Sequence, residues 1–321
     1  MNLKQTLNYK WYRFKYNYAP YMQLRTPVDV SLELASICNQ RCGYCYHSDQ
    51  EGLPFAKGLM KYELAQSIIE QAAELGVNSL KYNYRGESTL HPDFYRIAWG
   101  AKNLASGATF IDRVTNSNFK FSTDNESIFE GLACQTKVKI SFDSFVPGVM
   151  ETQRAGSIHK LALENIDKFY NHPSRIKSET KIVIQAVRTL LNKDEDIAGE
   201  VKKRWPEAGV SIRDMVAGRV NADLSGLENR KRDFSDRQSC IQAHARLIIN
   251  FDGSVNACCP DIAGKLNLGN ANTDSIYTIY NSETAKQLRK SLMSKTAFEK
   301  DPCGNCSSFE TFKGYKHPKD S

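Results

Sequence analysis

Six times between residues 28 and 215 a short β-forming run gives way to a turn and then to a helical pattern. The runs are VDVSLELAS (28 to 36), NSLKYNYRG (78 to 86), ATFIDRVTNS (108 to 117), KVKISFDS (137 to 144), TKIVIQAVRT (180 to 189) and GVSIRDM (209 to 215). Between the first two lies KYELAQSIIEQAAELG, in which Leu64, Ile68, Ala72 and Leu75 recur at spacings of three and four, the period of an amphipathic helix. Strands that alternate with helices pair in parallel, because each helix carries the chain back to the same end of the sheet. Right-handed crossovers curl that sheet. The expected class is therefore α/β, a partial (β/α)6 TIM-like barrel.

At 321 residues the chain is longer than one such unit requires, and the surplus has its own character. After the barrel region, 28–216, residues 217–239 are polar and turn-rich and read as a linker. Residues 240–310 form a second, small domain, with a hairpin in RLIINFDGSVNAC turning at Asp252 and Gly253 and a helix near SIYTIYNSETAKQLRKSLM. Residues 311–321 are a tail. In the N-terminal arm, 1–27, seven aromatics (Tyr9, Trp11, Tyr12, Phe14, Tyr16, Tyr18, Tyr21) interleave with Lys4, Lys10, Arg13, Lys15 and Arg25. Such an arm either packs its rings on the body or serves as a flap facing substrate or partner.

The net charge of +7 is spread along the chain apart from the knot ENRKRDF, which is the pattern of a solvated surface and not of a specific nucleic-acid interface. No apolar run reaches the length of a membrane span, and the N-terminus lacks the apolar centre of a signal peptide, so a cytoplasmic, membrane-free protein is expected. In that reducing compartment the nine cysteines are read as metal ligands or reactive groups before they are read as disulfides.

Folds of this class bind ligands at the C-terminal ends of their strands. ICNQRCGYCYH, with Cys38, Cys42 and Cys45, follows the first run; RGES ends the second, TNS the third and SFDS the fourth. Two readings of the three thiols are open. His47 supplies a fourth ligand and the site is a zinc knot, or three thiolates hold an iron-sulfur cubane with one iron free to bind a ligand carrying an amine and a carboxylate. In the second domain Cys303 and Cys306 form a Cys-x-x-Cys pair, suited to zinc or dithiol chemistry.

The spacing of Cys38, Cys42 and Cys45, with Tyr44 before the third, resembles the signature of the radical S-adenosylmethionine (radical SAM) family. The resemblance implies a 4Fe-4S cluster on these cysteines, SAM chelated at the open iron, and a 5'-deoxyadenosyl radical that abstracts hydrogen from substrate. The family's GGE motif, which binds the SAM amine, is present as Arg85-Gly86-Glu87, with arginine in place of the first glycine. Ser141 matches the residue used for the SAM ribose and Arg154 the one aimed at its carboxylate; Asn116 and Gln185 are further candidates. Twelve residues separate Cys240 from Gly253, four separate Gly253 from Cys258, and the Cys-x-x-Cys pair follows, a pattern that resembles the SPASM extension in its shortened twitch form. That implies an auxiliary 4Fe-4S cluster on Cys240, Cys258, Cys303 and Cys306, closed by four thiolates and suited to electron relay.

Cys259 and Cys134 are left over, as small buried hydrophobes or, for Cys259, as a hydrogen donor to a substrate radical. The outcome implied is dehydrogenation of a small polar molecule such as an aminocyclitol or sugar, with flavodoxin or ferredoxin as reductant. Peptide epimerisation or cross-linking is the alternative. A non-catalytic metal-binding module is the remaining class, and it leaves Glu87, Ser141 and Arg154 without a role.

Overall fold

The computed structural model describes residues 3–45, 47, 55–214, 239–299, 302–304 and 306. The expected linker, apart from Ser239, and the whole of the tail lie outside them. Eleven strands occur among the described residues: β1 (Asp29–Leu32), β2 (Arg41–Cys42), β3 (Ser79–Tyr82), β4 (Asp112–Ser117), β5 (Lys137–Ser141), β6 (Arg154–Ala155), β7 (Lys181–Arg188), β8 (Gly209–Asp214), β9 (Arg246–Ile249), β10 (Ser254–Asn256) and β11 (Asn267–Asn270). Nine of them form one sheet in the order β11-β10-β9-β1-β3-β4-β5-β7-β8. All six expected runs are present, and β1, β3, β4, β5, β7 and β8 pair in parallel. The mixed α/β architecture is that of a partial TIM barrel.

The helices are α1 (Leu3–Tyr18), α2 (Tyr62–Glu74), α3 (Phe94–Leu104), α4 (Glu126–Ala133), α5 (Pro147–Gln153), α6 (His159–Tyr170), α7 (Pro173–Lys177), α8 (Ile197–Arg204), α9 (Ile241–Ala245), α10 (Ile276–Tyr280) and α11 (Glu283–Met293). Side chains alternate along each strand. Leu80 and Tyr82 of β3, Val138 and Ile140 of β5, and Ile182, Ile184 and Ala186 of β7 join the apolar faces of α2, α3, α4 and α6 in one hydrophobic core. Helix α2 buries Ala65, Ile68, Ile69 and Ala72, so its inner face is rotated slightly from the Leu64–Leu75 stripe expected above.

Two features of the fold are absent from the sequence expectation. First, β9 pairs parallel to β1, Arg246 opposite Asp29 and Ile249 opposite Leu32, so the C-terminal hairpin extends the barrel sheet. The expected turn is there, with Gly253 at a φ of 87° that favours glycine. Second, the aromatic arm is a helix lying across the N-terminal ends of the strands. Tyr12 donates to Asp112 Oδ2 at 3.5 Å, and Tyr16 accepts from Arg246 Nη2 at 2.9 Å. Tyr12 and Tyr16 are buried, while Trp11 and Phe14 stay exposed on the outer face, their rings stacked at 5.4 Å. The single helix expected near residue 280 is two, because Ser282 caps a new start by accepting from Ala285 N.

Candidate active site

The segment that leaves β1 is fixed before it reaches the first cysteine. Ser36 donates to Gly58 O through its backbone N at 3.0 Å, and its hydroxyl accepts from Gly58 N at 2.7 Å. From the other side Gly86 lies flat on it. A Cβ there would meet Ala35 O at 2.3 Å and Ile37 O at 2.4 Å, so only glycine allows the approach. Glu87 N then donates to Ile37 O at 2.9 Å.

The cysteine loop is held in turn by the corner after α5. Strand β2 pairs antiparallel with β6, setting Cys42 opposite Arg154, and Gly43 N donates to Gln153 O at 3.1 Å. Arg154 donates through Nη1 to Cys42 Sγ at 3.7 Å and through Nη2 to Asp143 Oδ1 at 2.9 Å. Asp143 is completely buried and also accepts from Tyr44 OH at 2.5 Å, from Val187 N at 2.9 Å and from Gln153 Nε2 at 3.3 Å. Asn118 is the other support. Its Nδ2 lies 2.7 Å from Asn39 Oδ1 and 4.0 Å from Cys38 Sγ, and its backbone N donates to Glu87 Oε2 at 2.8 Å. Glu87 Oε1 accepts from Thr89 Oγ1 at 2.7 Å.

Burial governs the protonation of this rim. It pushes the Cys38 thiol up to about 12, helped by the nearby Glu87, and the Cys42 thiol up to about 11 against the pull of Arg154. Burial also raises the Glu87 carboxyl above the ordinary range, with the hydrogen bonds from Thr89 and Asn118 opposing it. Without a metal the thiols are neutral, and a metal that binds them displaces protons.

Ser141 and Gln185 stand opposite one another in the β5–β7 register, and Asn116 stands opposite Lys139 in the β4–β5 register. The three candidates thus lie on the sheet face turned away from the helices, next to the rim. Cys240 begins α9; Cys258, its thiol raised by burial and then by Cys240 and Cys259, follows β10. Cys306 N donates to Cys303 O at 3.4 Å in a tight turn. Cys259 is elsewhere than the rim: it bonds Gln242 Oε1 at 3.1 Å and accepts from Arg246 Nη1 at 3.7 Å, beside the N-terminal end of β1. Cys134 ends α4 and belongs to the hydrophobic core.

Sets of three and of four cysteine thiols are donors that iron-sulfur clusters take. Zinc at about 2.3 Å from each sulfur draws its ligands to within about 4 Å of one another. Among the described residues no three cysteine sulfurs lie within 4.8 Å of each other, and the only such donor group is Glu126, Glu130 and His172. His47, the possible fourth zinc ligand, packs its ring edge-on to Phe55 at 5.6 Å.

The stretch 84–87 joins the two cysteine regions. Tyr84 OH donates to Asp261 O at 2.8 Å and Arg85 Nη1 to Ile262 O at 3.2 Å, both in the loop after Cys258. Arg85 also makes a paired contact with the buried Glu33, at 2.6 Å through each of Nε and Nη2. Asp143, Asn118, Gln153 and Glu33 were not singled out in the sequence; their one signal was position, within SFDS, after TNS, before Arg154 and in the first run.

Residues 240–307 match the SPASM iron-sulfur cluster-binding domain. The whole chain is similar to BtrN in complex with AdoMet and 2-DOIA, at a TM-score of 0.58 and 17% identity over 90% of this chain and 96% of that one. It is also similar to anSMEcpe with bound AdoMet (0.59, 15%, over 88% and 86%) and to Streptococcus suis SuiB bound to the precursor peptide SuiA (0.57, 16%, over 88% and 71%). The chain has the radical SAM fold, extended by a SPASM domain. The matched domain is an iron-sulfur cluster-binding one, and the BtrN and anSMEcpe structures hold AdoMet. No curated protein matches the sequence. No helix among the described residues is long and apolar enough to cross a membrane.

Proposed function

We propose that the protein is a radical SAM oxidoreductase that removes hydrogen from a carbon of a small polar molecule, such as an aminocyclitol or sugar. The observation that carries this reading is the pair of thiol sets on one sheet, three cysteines on the C-terminal rim and four within the SPASM match, tied together by residues 84–87. When bound, the rim cluster and SAM supply an electron and a 5'-deoxyadenosyl radical.

Cys38, Cys42 and Cys45 would hold the rim cluster, with Gly86 and Tyr44 setting the path of their loop. The Glu87 carboxylate would take the SAM amine, Ser141 the ribose and Arg154 the carboxylate, while Asn116 and Gln185 line the floor beside them. Arg154 reaches Cys42 and Asp143 at once, so it orients the cysteine loop as well. Cys240, Cys258, Cys303 and Cys306 would hold the auxiliary cluster, a closed redox centre suited to one-electron relay. The small-molecule reading is supported by the likeness to BtrN in complex with 2-DOIA, which extends over 90% of this chain. A peptide substrate is the second reading, supported by the peptide-bound SuiB and anSMEcpe; Cys259, beside the N-terminal end of β1, is not placed to give hydrogen to a radical at the rim. A cytoplasmic location and a flavodoxin or ferredoxin donor complete the proposal.

The test is anaerobic reconstitution followed by incubation with SAM, reductant and candidate substrates. Two 4Fe-4S clusters give about eight iron per chain, 5'-deoxyadenosine forms, and the product is two mass units lighter. Cys42→Ala abolishes cleavage, and equal cleavage by this variant and the wild type would sink the reading. If a peptide substrate gives a product of unchanged mass while cleavage continues, the epimerase reading replaces the first.

A further inference from the structure

The sheet face opposite the helices is not a hydrophobic layer. Because Val138 and Ile140 point into the core, Lys137, Lys139 and Ser141 of β5 point the other way, and by the same alternation so do Ser79 and Lys81 of β3 and Val183 and Gln185 of β7. The buried charges on this face pair off, while Arg213 of β8 is exposed to water. Asp29 is matched by Lys81 and by Arg246 Nε at 3.3 Å, Asp112 by Lys137 at 3.7 Å, and Glu33 by Arg85. Lys139 is left over: it is half-buried and makes no hydrogen bond or ion pair with any described residue.

The one carboxylate near it, Asp112, is paired with Lys137. Asn116, opposite it on β4, has a buried Oδ1 with no partner. Burial first, then Arg213 of β8, Lys81 of β3 and Lys137 of β5, lower the Lys139 ammonium to about 8, with Asp112 of β4 opposing. An ammonium withdrawn from water among other cations is costly unless an anion reaches it. The position is one step along β5 from Ser141, on the same face of the sheet.

We propose that Lys139 binds an anionic group of the substrate, a carboxylate or phosphate, with Asn116 accepting from a neighbouring hydroxyl. This rests on the radical reading of the rim and narrows its substrate to an acidic polyhydroxylated small molecule. The rim and the Lys139 face together then define one site, the first for chemistry and the second for recognition. The field of the paired and unpaired cations selects against an amine at that end.

Binding is measured without turnover, on the anaerobically reconstituted full chain with SAM, using inorganic phosphate and glucuronate as anionic probes, myo-inositol as neutral and glucosamine as cationic. At least one anionic probe binds more tightly than the neutral and cationic ones. Its affinity falls about tenfold or more in Lys139→Met and recovers in Lys139→Arg, as expected for a hydrogen bond to a charged partner. Lys139→Gln is measured beside Lys139→Met, and melting curves establish that the variants are folded. The proposal is overturned if neither anion binds the wild type, if the variants bind the anions as tightly as wild type, or if Lys139→Met weakens SAM and not the probes. Formation of 5'-deoxyadenosine by the same wild-type preparation is scored separately. Its absence counts against the radical reading, whereas its presence with no anion binding counts against this proposal alone.

Discussion

Asp143→Asn isolates the charge balance of the rim. The Arg154 side chain is 7% exposed, and its charged partners are the Asp143 carboxylate at 2.9 Å and the Cys42 sulfur at 3.7 Å. Removing one member of a buried ion pair costs about 3–5 kcal/mol, because the other charge is left in a poor solvent. In the metal-free protein burial keeps Cys42 a neutral thiol, pushed up to about 11, so it cannot take over from Asp143 at pH 7. In the loaded protein Cys42 is a thiolate. A full charge at that distance in an effective dielectric of about 20 is worth roughly 4 kcal/mol to the guanidinium, and sharing with iron reduces it to some fraction. The variant is therefore expected to lose about 3–5 kcal/mol when stripped of metal, a melting point lower by roughly 6 °C or more, and less than half of that when reconstituted. The assay is paired thermal and urea denaturation of wild type and variant, once after chelation and once after anaerobic reconstitution. Equal losses in the two states, or none in the stripped protein, would refute the charge argument.

Gly86→Ala places a Cβ 2.3–2.8 Å from backbone atoms of residues 35–37, which cannot rotate aside; overpacking of about 1–3 kcal/mol should lower the melting point, and displacement of Cys38 should cut SAM cleavage more steeply than SAM binding. Wild-type values for both would show the contact to be dispensable. Arg85→Gly, which restores the glycine of the related motif, leaves Glu33 buried without its cation and should destabilise the protein by about 3–5 kcal/mol in denaturant titrations; a neutral effect would count against the bridge. His244 is held neutral by burial, its value lowered from 6.5 to about 4, so the unfolded chain binds the proton more readily. Its contribution is whole above about pH 6.5 and is lost as pH falls to 4, an amount of about 3 kcal/mol that should disappear from the stability–pH profile of His244→Gln.

How much of this was readable from the chain follows from the range of each interaction. The strands and α2 were legible because their apolar periods are local, and the cluster of Cys38, Cys42 and Cys45 stood out because three thiols within one loop are local too. Asp143 was not, although SFDS was. Its role depends on Arg154 returning through α5 and on Val187 arriving from β7, neither of which the neighbouring residues announce. Lys139 shows the same limit from the other side. In KVKIS an alternating lysine reads as the solvated face of a strand, and only the curl of the sheet, with charges from β3, β4 and β8 gathered around it, turns that face into an interior. The parallel pairing of β9 with β1 joins segments more than 200 residues apart and has no local signal.

The arginine that departs from the family motif is the case in which the departure itself carries information. A glycine at 85 would leave Glu33 unpaired at the base of the rim and the loop after Cys258 without its contact at Ile262. With arginine there, one side chain satisfies the buried acid and reaches the SPASM match, while the next two residues hold the path to Cys38. Arg85 also lies over the Phe55 ring at 4.4 Å, so the segment preceding Gly58 is drawn into the same junction. The glycine was needed once, at 86, where the backbone of residues 35–37 comes closest; at 85 the space was available for a side chain, and the charge placed in it couples the two cysteine regions mechanically.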